Sequence, residues 1–343
     1  MKSTSSLMPL TKLVFLVAIT AMLLITAACG SGENNANQAA ENAGNAGSAG
    51  NSANTTEQAA ANNATPQQHS VYPLSLKDVT GTELTFQSAP ARIVSLLPSE
   101  TEIVYAIDAG VSLVGVDNYS NYPKEAESVT KIGDMDADIE KIVSLKPDLV
   151  LASYTMGSAV VDKLRSLQIP VYATDPKTYD AVIAKVKQIG EILDKNEQAA
   201  AVTAHMEQVR EEVVNTVKDA PKRNVYLEFA PGWTVGKGEF LDELITLAGG
   251  VNIASEQGWY EIDPESVVKS NPDQIIYASM TLAEGETNPI LTGIETRPGW
   301  ATINAVKNKQ VFEVDQDPLT RVGPRLADGL LEVAKKLHPD LFK

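Results

Sequence analysis

Apolar and polar residues alternate through YPLSLKDVTGTELTFQ, and the two-residue period either side of Val79–Gly81 predicts a β-hairpin. ARIVSLL reads as a short buried strand ended by Pro98, with Ser99 and Glu102 spaced as a capping box for the next helix. A strand over 113–117 follows, then a helix over 138–146, a strand over 148–152, a helix over 158–168 and a strand over 169–173. Strands alternating with covering helices predict parallel strands in an α/β layer. From Tyr179 to Lys218 the period is helical, with Asp194 and Glu197 marking a fresh start inside it. The second part has no Gly or Pro and would be roughly 36 Å long, which suits a strut between two domains. After Pro221 the alternation resumes with strand NVYLEF, a helix over 239–248 and Gly249–Gly250.

One device occurs twice. IEKIVSLKPDLVLA begins at Ile139, and PESVVKSNPDQIIYA begins at Pro264. Glu140 aligns with Glu265, Pro147–Asp148 with Pro272–Asp273, and Asp138 with Asp263. Locally, Asp138 and Asp263 are N-caps, Pro264 fits the first helical position, and the glutamates fall where the helix dipole favours an anion. Each lobe thus carries one helix–Pro-Asp–strand unit. The predicted fold is two α/β lobes with mainly parallel sheets, joined by one long rigid helix, with a cleft between them.

The amino-terminal end differs in kind. Lys2 and Lys12 precede an uncharged run from Leu13 to Ala28, too short to span a bilayer comfortably and followed by Cys29. Residues 1–28 read as a lipoprotein signal peptide and Cys29 as the lipidated residue. Residues 29–70 are rich in Asn, Ala, Gly, Ser and Gln and read as a disordered tether. The folded part then divides into an N-terminal lobe over 71–193, an interlobe helix over 194–219 and a C-terminal lobe over 220–343. Localisation follows: extracytoplasmic, lipid-anchored to the outer face of the cytoplasmic membrane.

Charge and composition exclude several classes. The net charge of −16 opposes a nucleic-acid partner. The single cysteine permits no internal disulfide, and His69, His205 and His338 are too scattered for a metal set, so no metal and no cofactor are expected. No Gly-x-Ser-x-Gly elbow occurs, and GKG at 236–238 lacks the longer phosphate-loop pattern. An enzyme is not expected, although two lobes and a cleft are also a common enzyme layout.

RIVSLLPSETE, VGVDNYSNYP, IEKIVSLKPDLVLA, FLDELITLAGGVNIA, PESVVKSNPDQIIYAS and LHPDLF, in that order, resemble the substrate-binding proteins of bacterial ABC importers for iron–siderophores, haem and vitamin B12. The resemblance covers roughly residues 71–343. It implies a monomer that delivers ligand to a permease dimer, with Glu140 and Glu265 docking one to each permease subunit. The pattern is nearest to the vitamin B12-binding members. That implies a corrinoid held by Tyr119, Trp233, Trp259, Asp317 and Arg321, since a flat macrocycle wants aromatic faces and a few directing polar groups. Asp134 and Ser153 stand where those members carry tryptophan, with Tyr154 as a partial substitute. An incomplete corrinoid, a ferric siderophore or haem therefore stays open. Of the remaining candidates, Trp300 is expected in the core, Tyr122 in loop packing, Arg325 in a structural ion pair and His338 in solvent.

Overall fold

The computed structural model describes residues 68–134 and 136–342. The signal peptide, Cys29 and most of the tether lie outside the described residues. The last tether residues do not: Ser70 gives its N–H to Asp194 (2.7 Å) and its hydroxyl to the Glu191 carbonyl (2.6 Å). Among the described residues no helix is long and apolar enough to cross a membrane.

The chain opens with an antiparallel hairpin, β1 (Leu74–Lys77) and β2 (Glu83–Phe86). The first lobe follows: β3 (Ile93–Ser95), α1 (Pro98–Ala106), β4 (Leu113–Val116), α2 (Ile139–Ser144), β5 (Leu149–Ser153), α3 (Tyr154–Ser166), β6 (Val171–Thr174) and α4 (Tyr179–Ile192). Its four strands form a parallel sheet in the order β4-β3-β5-β6. Both faces are covered, so β5 and β6 are near-continuous apolar runs and not alternating ones.

Helix α5 (Asn196–Val217) leads to the second lobe. It spans about 33 Å at 1.5 Å per residue. Ala199, Thr203, Met206, Val209, Val213 and Val217 make its buried stripe. That stripe packs on α4 of the first lobe and on the last helix of the second. Gly190 lets α4 approach closely, since a Cβ there would sit 2.3 Å from that of Ala199. Tyr179 gives its hydroxyl to the Met206 carbonyl (2.9 Å).

The second lobe runs β7 (Arg223–Glu228), β8 (Trp233–Val235), α6 (Phe240–Leu247), β9 (Gly250–Asn252), β10 (Trp259–Glu261), α7 (Pro264–Ser270), β11 (Gln274–Ala278), α8 (Pro289–Thr296), α9 (Asn304–Lys307), β12 (Val311–Val314), α10 (Gln316–Thr320) and α11 (Leu326–Leu337). Its parallel sheet has the order β12-β11-β7-β9, and β8 with β10 forms a separate antiparallel ribbon.

The repeated device folds as expected. Asp138 caps α2 by accepting from the Lys141 N–H, Asp263 caps α7 by accepting from the Glu265 N–H, and Pro264 occupies the first turn.

Four expectations need correction. The capping box at α1 does not form: the cap is Leu97 without a side-chain bond, Ser99 turns to Glu100, and Glu102 is drawn to arginines of the other lobe. Helix α3 starts at Tyr154, capped by Ser153, because the polar cap and the irregular backbone at Gly157 extend it forward. Helix α2 stops at Ser144, short of Pro147, because the residue preceding a proline resists the helical region. His338 is buried, not solvated, beside Gly249 and Val217. Trp300 is fully buried, edge-on to Tyr226.

Candidate functional site

In open parallel sheets the loops after the carboxyl ends of the strands are where ligands gather. Here the carboxyl edges of the two sheets face each other. From the first lobe come α1 after β3, loop 117–122 after β4, Ser153 after β5 and Asp175–Lys177 after β6. From the second come Trp233 in the excursion after β7, Trp259 in that after β9, and Asp317–Arg325 after β12. This topology brings Tyr119, Asp317 and Arg321 together and sets Trp233 and Trp259 on one ribbon of the second lobe.

Two polar contacts close the gap. At one side Glu102, almost fully buried, accepts from Arg321 Nη1 (2.7 Å) and from Arg325 through Nε (2.9 Å) and Nη2 (2.6 Å). Asp317 answers both arginines, at 2.8 Å from Arg321 and 3.6 Å from Arg325. Arg321 also gives to the Asn121 side chain (2.9 Å) and the Tyr119 carbonyl (3.4 Å). Arg325 lies over the Tyr122 ring at 4.1 Å. Burial works to discharge that guanidinium, and the Glu102 hydrogen bonds and charge outweigh it, holding its pKa above the usual value. At the other side Lys177 meets Glu239 (3.1 Å), and Glu243 accepts from the Tyr179 N–H (2.6 Å).

Thus Arg325 is in the structural ion pair expected of it, and Tyr122 adds its ring to the interlobe contact. Arg321, Asp317 and Tyr119 are brought together. Glu102, which sequence reasoning spent on a helix cap, is the residue at the centre. Its only advance signal was its place, one turn into the helix after a strand's carboxyl end.

The aromatic residues form a second group. Register pairs Trp259 with Val235 and Glu261 with Trp233, so both tryptophans occupy one face of the ribbon. Trp233 is 43% exposed and Trp259 36%, unlike the buried Trp300. Phe229 meets Trp259 edge-on at 4.9 Å, and Phe240 lies 5.7 Å from it.

The turn bearing Trp233 is held from below. Buried Glu228 accepts from the Gly232 N–H (2.8 Å), where φ is +81°, and pairs with both nitrogens of Arg297 at 2.6 Å. Such a two-pronged, charge-assisted pair fixes orientation as well as adding energy.

The first-lobe wall is more polar. Tyr119 is 60% exposed. Its loop is set by buried Asp117, which accepts from the Tyr119 N–H (2.8 Å) and the Ser120 hydroxyl. Burial pushes the Asp117 carboxyl above its ordinary range, against those hydrogen bonds. Asp134 and Ser153 line one small pocket with Leu96, Leu97 and Met156. Tyr154 packs partly against the core of its own lobe. A larger cavity of about 520 Å³ lies behind β2, against Asp148 and Ile169–Val171 at the amino ends of β5 and β6, the edge opposite the cleft.

Glu140 and Glu265 are both exposed, each in the first turn of its helix. Because α2 and α7 run back against the parallel strands, both first turns lie at the carboxyl edge of their sheet. The two glutamates therefore hold matching positions, one per lobe. Among the described residues no cluster of His, Cys, Asp and Glu could hold a metal ion.

Residues 93–318 match the periplasmic binding protein family. The chain belongs to that family. It is the substrate-binding component of an ABC transporter, and the family is one of transport proteins, not of enzymes. An uncharacterized ABC transporter substrate-binding lipoprotein of Bacillus subtilis is 35% identical over 288 residues, which covers 81% of this chain and 89% of the relative. The vitamin B12-binding protein of Vibrio cholerae is 32% identical over 254 residues, 72% of this chain and 88% of the relative. Among solved structures, a possible iron-binding periplasmic protein of Staphylococcus epidermidis is 30% identical with a TM-score of 0.63, covering 73% of this chain and all of that one.

Proposed function

We propose that this periplasmic binding protein is anchored through Cys29 on the outer face of the cytoplasmic membrane, captures a corrinoid between its lobes and presents it to a permease dimer through Glu140 and Glu265. The observation that carries the ligand is the exposed tryptophan pair on the β8–β10 ribbon. Two partly exposed indoles on one ribbon, that of Trp259 braced by Phe229 and Phe240, give an apolar wall, which suits a flat macrocycle. The vitamin B12-binding relative supports the same reading.

The cycle involves no chemistry. Ligand enters between the walls, with Tyr119 on one side and Trp233 and Trp259 on the other, while Asp317 and Arg321 orient its polar arms. Lobe movement is modest, because α5 packs on both lobes and the Lys177–Glu239 and Glu102–arginine contacts already bridge them. Two equivalent anions at a fixed separation, one per lobe, match a two-fold receptor and serve to steer and register the encounter.

A ferric chelate is the second reading. Asp134 and Ser153 make the first-lobe wall hydrophilic, and the Staphylococcus epidermidis relative is described as possibly iron-binding.

Calorimetric titration of the purified protein with cobalamin, cobinamide, haem and a set of ferric siderophores separates the two. Tight binding of a corrinoid alone supports the first reading, and binding of a ferric chelate alone replaces it with the second. The docking assignment has its own test. Glu140→Ala with Glu265→Ala should abolish uptake and leave ligand affinity unchanged; a loss of affinity in the purified double variant would sink it.

A further inference from the structure

The arginines of the cleft are already balanced in charge by carboxylates. Arg321 and Arg325 are matched by Glu102 and Asp317, two cations against two carboxylates, and Glu102 is almost fully buried. Lys177 is matched by Asp175 (3.5 Å) and Glu239 (3.1 Å). Two more acids stand elsewhere on the walls: Asp134 in the small first-lobe pocket with Ser153, and Glu261, register partner of Trp233, on the ribbon. Lys237, two residues past the other end of β8, is exposed and solvated.

A ligand carboxylate would bring a third negative charge to two arginines whose charge Glu102 and Asp317 already balance, or would have to displace one of those acids. Displacing Glu102 would strand a desolvated charge, which costs far more than the new contact returns. A primary amide faces no such penalty. Its carbonyl accepts from an arginine N–H, and its NH2 gives to Asp317, whose side chain keeps about a third of its surface open. One neutral group can therefore bridge donor and acceptor without opening the network.

Building on the corrinoid reading above, we infer that this cleft selects ligands whose side arms are neutral hydrogen-bonding groups, amides above all, and rejects the same ligand when those arms are carboxylates. Glu102 is the specificity-setting residue, although its carboxylate reaches the ligand only through the arginines it neutralises.

The test is calorimetry at pH 7.5 and fixed salt with cobalamin and with its derivatives in which one or three peripheral amides are hydrolysed to acids. The pairs are nearly isosteric, so shape is constant. Each acid at the polar end should weaken binding at least tenfold. Glu102→Gln, which unbalances the network by one positive charge, should narrow that gap, and Asp317→Asn should act in the same direction. Acid forms that bind as tightly as cobalamin would overturn the inference, as would a gap unchanged in both variants. If no corrinoid binds, the corrinoid reading falls, and the charge rule is read from ferric chelates: a neutral or cationic hydroxamate should bind and a trianionic catecholate should not. Tight catecholate binding would overturn the rule.

Discussion

The two walls of the cleft are made the same way and finished differently. Both are loops at the carboxyl edge of a four-stranded parallel sheet. The second-lobe wall projects an aromatic ribbon, stiffened beneath by the Glu228–Arg297 pair. The first-lobe wall offers one exposed tyrosine, an acid and a hydroxyl. On the proposed reading, the fold sets where ligand is held, while the finishing residues set what is held. The same reading places most of the apolar contact energy on the second lobe and leaves the first to orient and discriminate.

The largest disturbance should come from the residue that ties the walls together. Glu102→Ala leaves two arginines facing each other with only Asp317 between them. It should cost about 3 kcal/mol in stability, read as a shift of the urea midpoint. Next comes the aromatic wall itself. Trp259→Ala should weaken corrinoid binding roughly 100-fold, about 2.8 kcal/mol, measured by calorimetry. In the opposite direction, Ser153→Trp supplies the polar wall with an aromatic face and should tighten cobalamin about fivefold in the same assay.

The smallest effect tests whether one lobe can be weakened without touching the cleft. Burial, with the charges of Arg223 and Lys222 nearby, holds the His338 imidazole below its ordinary pKa. The unfolded chain therefore takes up that proton at higher pH than the fold does. The stability contribution is full above the ordinary value of about 6.5 and is lost as pH falls below it. Urea midpoints at pH 7.5 and 5.5 should differ less in His338→Gln than in the unaltered protein, with ligand affinity at pH 7.5 the same in both.

Local signals carried the fold far. The Pro-Asp breaks, the Asp138 and Asp263 caps and the apolar period placed the repeated unit in both lobes, because those are interactions within a few residues. The tryptophans, Tyr119 and the Asp317–Arg321 pair were named from the family resemblance; the fold joins Tyr119, Asp317 and Arg321 in one network and pairs the tryptophans on a separate ribbon. What the sequence hid is what crosses between lobes. Glu102 and Arg325 are 223 residues apart, and nothing near Glu102 shows that its partner lies in the other lobe. The spacing from Ser99 to Glu102 favours a cap, yet a buried two-arginine partner outcompetes an exposed backbone N–H. His338 was misread for the same reason: closeness to the chain end says little about a residue wedged against Gly249 and Val217.

The central claim, that the second-lobe ribbon supplies most of the apolar contact with the ligand and the wall around Ser153 supplies little, is tested most directly by comparing cobinamide affinity in Trp259→Ala and Ser153→Ala by calorimetry. The account predicts a loss near 100-fold in the first and less than about threefold in the second. Equal losses, or a larger loss at Ser153, would contradict it.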